Sequence, residues 1–286
     1  MQFDFAGPVP LADGRYLARA DEAGEAESVL VLQTIGAPPA ASRRRRRGRN
    51  AGPEEDVAAV ALTRATAIRA FAPFEAAEQA ARWLDEACEA EDTVEVLAEE
   101  GIALLNRALH AQAVAAADPT SPNELAPERA ERVLIGFGSG EEAAEGRFSE
   151  ARQIDLAPRS SSRRRRREDE LRPQERVAAV LRGRERLDAC ETLLLRARAD
   201  LDARRDREAA LQLRVGLEAL LVELKGALAD PAHEEDMGTL QARRSDAGEA
   251  ANAALQGELP EERRKSVQEL LEISERVLRR RRILRG

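Results

Sequence analysis

Arg43 to Arg47 and Arg163 to Arg167 are two runs of five consecutive arginines, and neither can enter a folded core. Desolvating one unpaired guanidinium costs several kcal/mol, and a block of like charge resists packing. Both runs lie among loop formers: GAPPAAS precedes the first, GRNAGPEED follows it, and LAPRSSS precedes the second. They therefore divide the chain. The expected organisation is an acidic α+β domain over residues 1–157 with an arginine-rich internal loop at 41–53. An arginine-rich linker at 158–170 and a helical domain over 171–286 complete it.

A chain of 286 residues is long enough for two domains that each bury a core. Aromatic residues make up 3% of it and charged residues 34%, so the cores must be aliphatic and helix is favoured. The charge is unevenly spread. Residues 50–157 hold 22 acidic and 8 basic side chains, while residues 168–286 nearly balance, with 25 and 23. Lys225 and Lys265 are the only lysines beside 43 arginines. Codon supply explains such a bias as well as guanidinium chemistry does, so arginine number alone identifies no ligand.

The first part of the chain reads as strands. QFDFA alternates with Phe3 and Phe5 on one side, GRYLARA alternates around Tyr16, and SVLVLQTI is apolar on both faces, which predicts a central strand. VAAVALTRATAIRAF is a further β-rich stretch. Two helices follow. The first carries Ala80, Trp83, Leu84, Ala87 and Cys88 on one stripe, and the second runs from Val94 until Asp118-Pro119 stops it. RVLIGFG and EARQIDLA then read as returning strands, giving a mostly antiparallel sheet with two helices on one face.

Beyond Leu171 only helical spacing appears. Leu187, Cys190, Leu194, Ala197 and Leu201 form one stripe, and Ala210, Leu213, Leu217, Leu220 and Leu224 form another. A weaker stripe from Met237 to Ala254 is interrupted at Arg244, and Val267, Leu270, Ser274, Val277 and Leu284 mark a last helix. Four helices with short connections predict an all-α bundle or stacked αα-hairpins.

Motifs for chemistry are weak. RVLIGFGSGEEAAEGRF has the glycines of a phosphate-binding turn, but Glu141 and Glu142 stand where phosphate charge would go and no βαβ frame surrounds it. A turn between two strands is the simpler reading. His110 sits in the long helix and His233 in the apparent loop ADPAHEEDM, and neither has a ligand partner at helical spacing. Cys88 and Cys190 lie far apart without a CxxC motif and read as core thiols. No nucleophile elbow, phosphate-binding lysine loop or calcium loop occurs. The sequence thus leans away from catalysis, and neither cofactor nor metal is expected.

The first twenty residues lack a signal peptide's basic and apolar regions, and no apolar run nears the ~18 residues of a membrane span. A cytoplasmic protein without membrane contact is expected. The candidate contacts for a polyanion or a partner are Arg43, Arg44, Arg45, Arg46 and Arg47, then Arg163, Arg164, Arg165, Arg166 and Arg167. The C-terminal cluster adds Arg279, Arg280, Arg281 and Arg282. Because the runs lie in linkers tethered to an acidic domain, that domain is their first competitor. The favoured reading is a non-catalytic interaction or adaptor protein whose helical domain binds a protein partner or a second copy. Nucleic-acid association through the arginine clusters is the alternative, and a small-molecule enzyme comes third.

Overall fold

The computed structural model describes residues 1–19, 26–36, 61–69, 74–118, 124–156, 174–226 and 230–285. The chain divides into two compact units, Met1–Ser160 and Ser161–Gly286. The first is α+β and the second, among the described residues, is all helix.

In the first unit β1 (Gln2–Ala6), β2 (Gly14–Ala18), β3 (Ser28–Ile35), β4 (Leu62–Arg69), β5 (Arg132–Phe137) and β6 (Glu150–Ile154) form one sheet. The order is β2-β3-β4-β1-β5-β6, and every neighbouring pair is antiparallel. β3 is interior as its apolar faces require, but β4 and β1 form the central pair. Helices α1 (Ala77–Glu89) and α2 (Glu91–Ala116) supply the core on one face. There Phe3, Phe5, Leu30, Leu32 and Ala65 meet Ala98, Ile102, Leu105 and Leu109 of α2. Gly101 permits this approach, since a Cβ there would stand 3.0 Å from the Phe3 ring.

The opposite face of β1 is buried too, and it is polar. Gln2 Nε2 donates to Thr66 Oγ1 at 2.8 Å and to the Gly146 carbonyl at 3.1 Å. Asp4 accepts from Arg64 Nε and Nη2 at 2.8 and 2.9 Å, a bidentate pair between adjacent strands. The β5–β6 connection contains a short helix, α3 (Gly140–Ala144), and then folds back over this face. Gly146, at φ +78°, lies against Val31 and Thr66, where a Cβ would meet Thr66 Oγ1 at 3.1 Å.

The second unit contains α4 (residues 174–181), α5 (Ala189–Asp202), α6 (Asp206–Glu223), α7 (Pro231–Ala242), α8 (Arg244–Gln256) and α9 (Glu261–Arg285). α6 is central and packs against α5, α7, α8 and α9. Its stripe Ala210, Leu213, Leu217, Leu220 and Leu224 is fully enclosed, with Leu194 of α5, Ala250 of α8 and Leu270 of α9 in the same cluster. The weak stripe before α9 is two helices. They part at Arg243, whose guanidinium donates to Asp246 and Glu269 at 3.0 Å and to Ser266 Oγ at 3.2 Å. Leu187 departs from its expected stripe, lying ahead of α5 and exposed.

Candidate interaction surface

Arg43 to Arg47 and Arg163 to Arg167 lie outside the described residues. The C-terminal cluster is described, and its members differ. Successive helical residues point about 100° apart, so four arginines cannot share one face. Arg279 and Arg282 are exposed. Arg280 Nη1 donates to Asp236 Oδ2 and to the Ala232 carbonyl, each at 2.8 Å. Arg276 Nη2 donates to the other Asp236 oxygen at 2.9 Å. The bonds from Arg276 and Arg280 outweigh burial and hold the Asp236 carboxyl below its ordinary range. Arg281 pairs with Asp188 just ahead of α5. Half of this cluster therefore clamps α9 to its neighbours.

The same end of the bundle holds α4 and the start of α5. Glu223, in the last turn of α6, accepts from the backbone N–H groups of Ala189 and Cys190 at 3.2 and 3.0 Å. A carboxylate at a helix N-terminus satisfies free donors and opposes the positive end of the helix dipole. Arg176 of α4 reaches Glu185 Oε1 at 2.7 Å and Glu191 Oε2 at 2.6 Å. These bonds fix α4 beside the first turn of α5, with Ala178, Ala179 and Val180 partly covered and Val177 and Leu181 left in solvent. Leu181 is 82% exposed, and Val177 and Leu187 are also exposed.

A groove of about 470 Å³ runs along the α6–α8 seam, floored by Leu217, Ala247 and Gly248. Arg244 Nε donates to Glu218 Oε1 at 2.5 Å on one wall, and Arg214 Nη1 to Asn252 Oδ1 at 3.3 Å on another. Both pairs are solvent-exposed, so water screens them and they add little to stability. Leu255, one turn beyond Asn252, is exposed beside this seam.

The other sequence candidates have structural roles. In the glycine-rich turn, a Cβ on Gly138 would stand 2.8 Å from the Arg147 carbonyl, too close for any side chain. β5 and β6 pair antiparallel across this turn, so the strand-helix-strand frame of a nucleotide site is not formed. His233 belongs to the first turn of α7 rather than to a loop: Asp230 caps the helix by accepting the His233 N–H at 2.8 Å. The residue is 2% exposed, and neither ring nitrogen has a hydrogen-bond partner among the described residues. His110 is half-buried on α2. Burial, then the Glu223 hydrogen bond, pushes the Cys190 thiol up to about 12, and burial also raises Cys88. Among the described residues no group of three His, Cys, Asp or Glu side chains can hold a metal ion. Nor is any described helix long and apolar enough to cross a membrane.

Sequence reasoning missed the α4 surface. The RVAAVL stretch carries its periodic apolar signal, but the partners of Arg176, Glu185 and Glu191, lie 9 and 15 positions away and are not written in that periodicity. No family model matches the chain, and no curated protein or solved structure matches it.

Proposed function

We propose that this chain is a non-catalytic adaptor whose helical unit binds a protein partner. The observation that carries this reading is the exposure of Val177 and Leu181 on α4, an element anchored by Arg176, and of Leu187 just ahead of α5. A large aliphatic side chain gains about 1.5–3 kcal/mol when it is fully buried. Leaving Val177, Leu181 and Leu187 in water forgoes that gain, and a partner helix laid on this surface recovers it. The pairing of Arg280 and Arg281 with carboxylates leaves fewer cations of the C-terminal cluster for phosphate, which favours a protein partner over nucleic acid.

The test is affinity capture from the native host with the full chain, wild type against Leu181→Glu with Leu187→Glu. A specific protein retained by the wild type and lost from the variant, with unchanged helicity by circular dichroism, supports the reading. Equal capture by both rejects this surface. Nucleic acid retained at about 0.15 M salt, where exposed charges beyond ~8 Å are screened, favours the arginine alternative.

A further inference from the structure

The unengaged charges beside the α4 surface are mostly basic, although the whole chain carries a net charge of -8. The acids there are in use. Glu185 and Glu191 both accept from Arg176, Asp188 pairs with Arg281, and Glu223 accepts from the first N–H groups of α5. Arg182, Arg184 and Arg186 stand between Leu181 and Leu187, and all three are exposed. Their side chains hold no hydrogen bond or ion pair among the described residues, and Glu175 is the one carboxylate of residues 174–191 in the same condition. Guanidinium groups without acceptors are donors left for another molecule. The apolar part of the surface also continues past α4. Leu195 is 71% exposed and lies one turn beyond Glu191, on the side of α5 that holds Arg176.

We infer that this surface docks an acidic amphipathic helix of a partner protein, its aliphatic face on Leu181, Leu187 and Leu195 and its carboxylates on Arg182, Arg184 and Arg186. The inference rests on the adaptor reading above and names the chemistry of the partner. An aliphatic surface flanked by free guanidiniums matches a ligand that carries aliphatic and carboxylate groups on adjoining faces of one helix. Arginine's planar fork grips a carboxylate through two N–H groups, so the flanking bonds orient the helix while burial of the aliphatic side chains supplies affinity. A nucleic-acid backbone would engage the arginines but leave the aliphatic side chains in water. A lipid surface suits one helix with a continuous apolar face. Here the exposed aliphatic residues are divided between α4, the segment before α5 and α5 itself, and Ala178, Ala179 and Val180 of α4 are partly covered.

Fluorescence anisotropy of a labelled synthetic peptide titrated with the full chain tests the inference. The probe is a helix-forming peptide of ~18 residues with leucine on one face and glutamate on the flanks. One control carries lysine in place of glutamate, and the other has the same residues in scrambled order. Saturable binding of the glutamate peptide, at least about tenfold tighter than either control, is expected. Arg182→Ser, Arg184→Ser and Arg186→Ser together should weaken it at least about tenfold and flatten its dependence on salt. Leu181→Gln with Leu187→Gln should weaken it as strongly while the salt dependence persists. All five positions are exposed, so helicity by circular dichroism should not change. Equal binding of the glutamate and lysine peptides, or indifference to the serine changes, overturns the inference. Recovery of the chain on phosphatidylserine vesicles without peptide binding also overturns it and assigns the surface to a membrane. If no peptide binds but capture of a host protein still depends on Leu181 and Leu187, the adaptor reading stands and the acidic helix is rejected.

Discussion

Gly216 of α6 lies against Leu194 of α5 so closely that a Cβ on Gly216 would stand 3.1 Å from two carbons of the leucine. Leu194 is enclosed and has no room to withdraw. The two helices cross at this point because glycine removes one side chain from between them. Replacing Gly216 with valine should therefore destabilise the helical unit by ~1–3 kcal/mol, the usual cost of overpacking. Urea denaturation measures this; an unchanged midpoint would mean that the helices do not cross here.

Asp4 and Arg64 define a second stability test. The Asp4 side chain is 7% exposed, and its bidentate partner comes from the neighbouring strand. Arg64→Met leaves a carboxylate buried without its cation, which costs 3–5 kcal/mol when the site is fully enclosed. Arg64 itself is 28% exposed, so ~1–3 kcal/mol is the expected loss after solvent screening. Asp4→Asn with Arg64→Met should recover part of it, and a double-mutant cycle isolates the coupling.

The Met1 amine predicts a pH dependence above the carboxylate range. It donates to the Ala67 carbonyl at 2.9 Å, and its side chain packs in the core. Burial first, then the Arg69 charge, lowers its pKa from 8.0 to about 5. The unfolded chain therefore binds a proton between pH 8 and 5 that the folded chain refuses. Stability should rise with pH across this window, by at most ~4 kcal/mol for three pKa units. Nα-acetylation removes the titrating group, so the acetylated protein should lack this rise. Asp236 acts lower on the scale: its lowered pKa contributes stability above the unfolded value of 3.8 that is lost as pH falls through the folded one.

The two thiols should separate in a labelling experiment. Only the thiolate is a strong nucleophile, and Cys190 is fully buried with its pKa raised to about 12. Cys88 is half-buried. Native protein at pH 8 should accept iodoacetamide at Cys88 first and at Cys190 only on unfolding, as peptide mapping will show. Equal rates would place Cys190 outside the core.

Periodicity along the chain was enough to reveal the α+β class, α1, α2 and the buried stripe from Ala210 to Leu224, because helical and strand spacing are written in neighbouring residues. The central place of β1 was not legible. QFDFA reads as a strand with one wet face, yet Gln2 and Asp4 are buried because Thr66, Arg64 and Gly146 satisfy them from 60 to 144 positions away. His233 reads as a loop residue because Asp230-Pro231 resembles a turn, but the same pair also caps and starts a helix, and packing chose the helix. Likewise, that Arg280 and Arg281 are paired while Arg279 and Arg282 stay exposed depends on where Asp236 and Asp188 stand. The amino-acid order by itself determined which residues could share a face. Only the tertiary structure decided what each face meets, because burying a polar or charged group is tolerable only where a distant partner arrives to satisfy it.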